Sequence, residues 1–322
     1  MKYKALIIGA GSIGALKPSE FDSPESKQIY THAHACYSHP DIELVGIVDI
    51  NINKAVEACL KWNSTPFPSV KYGYECLEVQ ENVPDIAIVA VDTKNHIQVI
   101  NDLIPYKPKV IICEKPFCLN HEQAYNIAWK CKEHGIHLII NYLRGFVPEL
   151  KQLSNDLKSG VYGDIYNFTL RYSRGIKRDG SHALYWCLNT FGKVGINTRH
   201  DHKYLHDNTE DNDYNIHFYY QSNLCPVVSF IPIGSAYSTY NADIYTEKGR
   251  IELLDNWSTI RFHESAMSTY GNYRATGLLF NDKTTQLDQA LTYLLDEAIS
   301  RIGTEANDPD FNALQVHKLL TI

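Results

Sequence analysis

Lys115 and His182 are the two side chains whose types and settings best suit proton and charge chemistry. Lys115 follows the apolar run Val110-Ile111-Ile112-Cys113 and Glu114, and it is held by Pro116. A charge at the carboxyl end of a buried strand stands where open α/β sheets bind ligands. From there a lysine can hydrogen-bond a reacting oxygen and stabilise charge developing on it. His182 closes Asp179-Gly180-Ser181-His182. An unperturbed imidazole titrates near pH ~6.5, so it can take a hydroxyl proton at neutral pH. The pair suits hydride removal from a hydroxyl-bearing carbon, with His182 as base in the oxidation direction. Asp179 is expected to orient that histidine or bind a substrate hydroxyl. Tyr172 and Arg174 are candidates to bind substrate hydroxyls or a nucleotide phosphate, with a surface ion pair as the other role open to Arg174.

A hydride needs an acceptor, and the N-terminus offers a place for one. Gly9-Ala10-Gly11-Ser12-Ile13-Gly14 follows a strand and is expected to open a helix, the setting that a dinucleotide fingerprint requires. Glycines permit the tight turn and close backbone approach to a pyrophosphate, and a helix start adds amide donors and a favourable dipole. Gly9, Gly11, Ser12 and Ile13 are the candidate cofactor contacts. Asp49, at the end of the second strand, can accept both adenosine ribose hydroxyls and would repel a 2′-phosphate. It lies 35 positions beyond Gly14, against about 20 in the usual spacing. A polar, turn-rich insert from Lys17 to Lys27 accounts for the excess. NAD is therefore favoured over NADP; Ile50 gives no basic clamp, although lysines of the insert could supply one.

The elements that must position these residues change character near residue 143. Before it, strands at Tyr3–Ile8, Glu43–Asp49, Asp85–Val91, Val110–Cys113 and His137–Asn141 alternate with helices near Asn53–Trp62, from Lys94, and near Asn120–Glu133. Near-continuous apolar strands separated by amphipathic helices indicate a doubly wound parallel sheet covered on both faces. After a helix near Val147–Lys158, longer alternating runs follow at Ile165–Tyr172, Asn215–Tyr220, Val227–Ile233, Asp243–Thr246, Arg250–Leu254 and Thr259–Phe262. They indicate an antiparallel or mixed sheet with one face covered. Helices near Leu287–Arg301 and Phe311–Leu320 end the chain. The expected division is an NAD-binding domain over 1–143 and a substrate-binding, possible oligomerisation domain over 144–322.

Composition excludes several alternatives. The 322 residues carry a net charge of −7, from 30 basic and 37 acidic side chains, whereas general nucleic-acid binding needs a basic face. No run reaches the roughly 18 apolar residues of a membrane span, and the N-terminus has no signal-peptide pattern. The eight cysteines are scattered without a Cys-x-x-Cys pair, as expected of reduced thiols in a cytoplasmic protein. The histidine-rich run Arg199–Asp207 lacks organised metal-ligand spacing and reads as a solvated loop, so no metal is expected.

Taken together, the motifs resemble those of the glucose–fructose oxidoreductase/inositol dehydrogenase (Gfo/Idh/MocA) family. They are the glycine turn, Asp92-Thr93-Lys94-Asn95-His96, Glu114-Lys115-Pro116, Asn141–Pro148, Asp179-Gly180-Ser181-His182 and Asp243–Leu253, in order along essentially the whole chain. The resemblance implies a Rossmann domain and an α/β domain built on a large open, mostly antiparallel sheet, with the active site between them. It implies that Thr93 and His96 lie along the cofactor. Glu114 and Lys115 would lie near the nicotinamide ribose and reacting carbon, with Lys115-Pro116 as a cis peptide. The stretch Tyr172–His182 most resembles members acting on sugars of bacterial surface polysaccharides. Lys94 stands where the family often has proline, Tyr185 replaces a frequent carboxylate, and Arg178 occupies a position that is aspartate in some members. These departures leave the proton relay open. The implied activity is NAD-dependent oxidation of a sugar or nucleotide-sugar hydroxyl. A redox-assisted glycosidase or lyase with recycled NAD, or a non-catalytic ligand sensor, would use the same fold. The resemblance also offers the second sheet as a surface for homo-oligomer formation.

Overall fold

The computed structural model describes residues 2–192, 194–202, 213–220, 227–233, 238–267 and 274–320. Its contacts divide the chain into two compact units, one made of 1–143 with 288–322 and the other of 144–287.

In chain order the first unit begins β1 (Tyr3–Ile8), α1 (His32–Ser38), β2 (Ile42–Val48), α2 (Ile52–Trp62), β3 (Thr65–Phe67) and α3 (Val70–Val79). It continues with β4 (Ile86–Val89), α4 (His96–Leu103), β5 (Val110–Cys113), α5 (His121–Glu133) and β6 (His137–Ile140). The six strands are parallel, in the order β3-β2-β1-β4-β5-β6. This doubly wound order reverses direction between β1 and β4, and ligands bind outside the carboxyl ends of the strands at such a switch point. Ala5 to Ile8, Ile86 to Val89 and Val110 to Cys113 are buried throughout, as a sheet covered on both faces requires. Asn120 caps α5 by accepting the Glu122 and Gln123 amides at 2.9 and 3.1 Å, satisfying donors that a helix start leaves free.

The second unit runs α6 (Pro148–Lys158), β7 (Ile165–Tyr172), α7 (Ser181–Phe191), β8 (Val194–His202), β9 (Asp213–Tyr220) and β10 (Val228–Pro232). Then come β11 (Tyr240–Thr246), β12 (Gly249–Leu254), β13 (Thr259–Met267) and β14 (Arg274–Thr284). These eight strands form a mixed sheet, β14-β13-β12-β11-β7-β10-β9-β8, antiparallel except where β10 joins β7. Phe168 and Leu170 of β7 alternate inward with Ile244, Ile251 and Leu253. Trp186 and Phe191 of α7 meet Phe168 at 5.9 and 6.0 Å between ring centroids. The other face carries an ion network in which Asp243 joins Arg171 and Arg250, and Arg250 reaches Glu252 at 2.7 Å.

The structure corrects the expected second boundary. Helices α8 (Ala290–Arg301) and α9 (Phe311–Leu320) belong to the first unit, so the second domain ends at 287 rather than 322. Helix α8 buries Leu291, Leu294, Leu295 and Ala298, and His39, just beyond α1, bonds its Asp296 at 3.0 Å. Among the described residues seven cysteines are free thiols, no group of side chains could hold a metal ion, and no helix is long and apolar enough to cross a membrane. Within the histidine-rich run, residues 199–202 end β8; Lys203 to Asp207 lie outside the described residues.

Candidate functional site

The glycine turn leaves β1 beside the switch point. Gly9 has φ of +107°, and a Cβ on it would lie 2.6 Å from the Ala90 carbonyl oxygen. A Cβ on Gly14 would lie 1.9 Å from the Gly9 oxygen. Both positions therefore require glycine for internal reasons. Gly11 differs, because a Cβ there would meet nothing within 4 Å. Its glycine leaves open space over the backbone, which fits close approach of a pyrophosphate. Ser12 is exposed and Ile13 half-buried beside it.

The expected helix does not run on directly from this turn. Residues 11–15 make one turn, with the Ala15 amide donating to the Gly11 oxygen at 2.9 Å, before the chain leaves through the insert. It returns at α1, where the His32 and Ala33 amides donate to the oxygens of Ile13 and Gly14 at 3.0 and 2.9 Å. The helix is thus split but still hydrogen-bonded across the break. The insert is anchored rather than loosely solvated. Asp22 is wholly buried and accepts from the Thr31 hydroxyl at 2.7 Å and the Tyr30 amide at 3.2 Å, with His34 Nδ1 at 2.6 Å. His34 stacks on Trp62, whose Nε1 donates to the Ala15 oxygen at 2.8 Å.

Asp49 lies at the end of β2, half-buried. Its Oδ2 accepts the Ala10 amide at 2.9 Å and its Oδ1 the Asn51 amide at 2.8 Å. The carboxylate is therefore fixed against the glycine turn, and its remaining lone pairs are available to a ribose.

At the end of β5, Glu114 is buried and makes contacts that the sequence did not reveal. Its Oε1 lies 2.8 Å from His32 Nε2 and accepts from Asn141 Nδ2 at 2.6 Å, while Oε2 accepts the Lys115 amide at 3.3 Å. Burial pushes the carboxyl up, but the bond and charge of His32, the Asn141 amide and the Lys115 charge outweigh it and hold Glu114 below the usual carboxylate range. Lys115 follows, half-buried, and its peptide to Pro116 is cis. His96 is a cross-link: its Nδ1 and Nε2 lie 2.9 Å from the carbonyls of Phe117 and Val91 respectively. Both ring nitrogens face backbone carbonyls, to one of which the N–H of a neutral ring donates, and His96 holds the Lys115 loop to the end of β4. Thr93 starts the short 3₁₀ turn before α4 and is half-buried.

In the second unit, β7 ends at Tyr172 and is followed by Arg174, at φ of +64°, and a π-helical turn over Ile176–Gly180. Such turns are frequent at functional sites. Asp179 accepts from Arg174 Nε at 3.0 Å, and Arg174 Nη2 lies 2.9 Å from the same oxygen. The ion pair expected as one role for Arg174 is therefore present, with Asp179 as its partner. His182 is the second residue of α7 and is buried. Tyr172 is fully buried, with its ring centroid 6.5 Å from that of Phe230.

Residues 3–142 match the family model described as "Oxidoreductase family, NAD-binding Rossmann fold". The chain is 37% identical over 82 residues to the rhizopine catabolism protein MocA of Rhizobium meliloti, 26% of each chain. It is 26% identical over 123 residues to trans-1,2-dihydrobenzene-1,2-diol dehydrogenase of Mus musculus, 38% of this chain and 35% of that one. The matched stretches thus span only about a quarter to a third of these relatives' own lengths. Likeness of fold extends further. The dehydrogenase MviM of Clostridium difficile superposes with a TM-score of 0.76 over 99% of this chain and 98% of its own, at 14% identity. KijD10, a 3-ketoreductase of Actinomadura kijaniata solved with NADP, gives 0.73 over 99% and 96%, also at 14% identity. The first domain is thus similar to the NAD-binding Rossmann domain of that oxidoreductase family, and over the whole chain the likeness to solved structures is one of fold.

Proposed function

We propose that the protein is an NAD-dependent dehydrogenase acting on a hydroxyl-bearing carbon of a sugar or nucleotide sugar. The observation that carries this is the setting of Lys115, at the carboxyl end of β5 and one strand from the switch point where the open Gly11 turn lies. Nicotinamide, when bound, supplies the hydride acceptor. Gly9, Gly11, Ser12 and Ile13 would hold its pyrophosphate, and Asp49 the adenosine ribose, which favours NAD over NADP.

Lys115 donates a hydrogen bond to the reacting oxygen and stabilises the charge that grows there as the hydride departs. His182 takes the hydroxyl proton in the oxidation direction. Asp179, steadied by Arg174, binds a substrate hydroxyl. Glu114 fixes the backbone from which Lys115 projects, through the bond to the Lys115 amide.

Lys115→Ala and His182→Ala should each lower turnover by about 10²-fold or more, with NADH binding, followed by fluorescence, nearly unchanged. Near-normal activity in either variant overturns the assignment. Substrate turnover without net NADH would instead favour the redox-assisted glycosidase or lyase.

A further inference from the structure

Arg144 begins the second unit in an unusual setting. Its guanidinium lies 4.0 Å from the centroid of the Tyr240 ring and 5.8 Å from that of Trp257. Tyr240 and Trp257 are themselves buried and 5.4 Å apart. Nη2 donates to the Asn256 carbonyl at 3.2 Å, yet Nε is buried with no hydrogen-bond partner among the described residues. No carboxylate among them lies within ion-pair distance of Arg144. A planar fork of donors resting on aromatic faces is the arrangement that receives a carboxylate or phosphate.

The surrounding backbone is built around this side chain. Asp255, Asn256 and Trp257 have φ of 50°, 58° and 75°, three successive left-handed residues of which none is glycine. Such strain persists only where the surroundings enforce it, and it gathers at ligand sites. The turn carries the Asn256 oxygen to Arg144 and buries the Trp257 ring. On the other side, a Cβ on Gly145 would lie 2.5 Å from the Tyr185 ring, so the chain at Arg144 runs hard against α7. Tyr240 pairs with Tyr172 across the sheet, which places Arg144 at the end of β7 that leads into Arg174 and Asp179. Asp179 is already shared by Arg174, at 3.0 Å, and Arg178, at 3.9 Å. Arg174 and Asp179 are both within electrostatic range of Arg144.

We propose that Arg144, seated on Tyr240 and Trp257, anchors a subsite for an oxyanion of the substrate, a sugar carboxylate or the phosphate of a nucleotide sugar. The inference rests on the dehydrogenase reading above and narrows its substrate to an anionic sugar. Binding to the full chain is measured by calorimetry, with tryptophan fluorescence as a second readout, for uridine diphosphate, D-glucuronate and D-glucose. At least one anion should bind the unmodified protein about tenfold more tightly than glucose, and Arg144→Gln should remove that preference, while Arg144→Lys keeps part of it. Preference for uridine diphosphate identifies the phosphate as source, and preference for glucuronate the carboxylate. NADH affinity and the melting profile of each variant report whether it is folded. Equal binding of glucose and both anions by the unmodified protein overturns the proposal without any variant. So does anion binding that a folded Arg144→Gln protein retains in full. Anion binding that depends on Arg144, with no reduction of NAD by any anionic sugar, would overturn the dehydrogenase reading and leave the subsite standing.

Discussion

Replacing His32 by alanine should uncover how Glu114 is kept ionised beside Lys115. The substitution removes the partner 2.8 Å from a carboxylate that is 7% exposed, while Asn141 at 2.6 Å remains. Breaking one side of a buried pair costs about 3–5 kcal/mol, and the surviving amide sets the loss at the lower end, about 3 kcal/mol. For a unit of roughly 150–250 residues, at ~2–4 °C per kcal/mol, the melting midpoint should fall by about 6–12 °C at neutral pH. The sign of the pH dependence follows from Glu114. In the unmodified protein its folded carboxyl lies below the ordinary value, so its contribution is present above the unfolded value of about 4.3 and is lost only as pH falls through the lower folded one. Without His32, burial dominates and the folded value rises above the unfolded one. Its contribution is then present below about pH 4.3 and lost as pH rises through the raised folded value, so the deficit should shrink on acidification from about pH 8 to pH 5. Thermal unfolding of the full chain across that range, followed by tryptophan fluorescence, measures this. In the Glu114→Gln background the same substitution should cost about 1 kcal/mol, the worth of an ordinary hydrogen bond. A deficit that ignores pH and is equal in both backgrounds would show that His32 matters only for its volume.

The glycine turn offers a sharper contrast. Gly14→Ala should destabilise the first unit by about 1–3 kcal/mol or more, because its Cβ meets backbone rather than a movable side chain. Gly11→Ala should leave the melting midpoint in place yet weaken NADH binding by about tenfold, since its Cβ occupies only the open space over the turn; wild-type affinity in that variant would show that the cofactor does not approach there. Asp49→Asn keeps an acceptor for the Ala10 amide but removes the charge that opposes a 2′-phosphate. It should move the ratio of NADPH to NADH dissociation constants by about 10–100-fold towards NADPH, and an unchanged ratio would assign the preference to lysines of the insert.

Much of this was legible in the sequence because the parallel strands are continuous apolar runs, a pattern that burial on both faces enforces. What escaped has identifiable physical causes. Strand β3 is three residues with Pro66 at its centre, too short for any period to register. Helix α7 is buried nearly all round, so it lacks the polar stripe that marks an amphipathic helix. Helices α8 and α9 were legible as elements but not in their allegiance, because an apolar stripe shows that a face is covered and not what covers it. The His32–Glu114 bond joins residues 82 positions apart, and no local pattern encodes such a meeting.

The insert shows why the spacing of Asp49 was an imperfect guide and the geometry a better one. With residues 16–31 removed, the separation from Gly14 falls from 35 to about 19, near the usual ~20. The chain tolerates the excursion because the hydrogen bonds of the helix start are made across the gap, from His32 to Ile13 and from Ala33 to Gly14. A helix needs its carbonyls answered, not its residues consecutive. The same splice delivers His32 to Glu114, so an insertion that hides the fingerprint in sequence leaves its turn, its acidic partner and the Lys115 loop joined through α1. The buried Asp22–Thr31–His34 cluster closes the excursion, and by doing so it fixes the register in which α1 resumes.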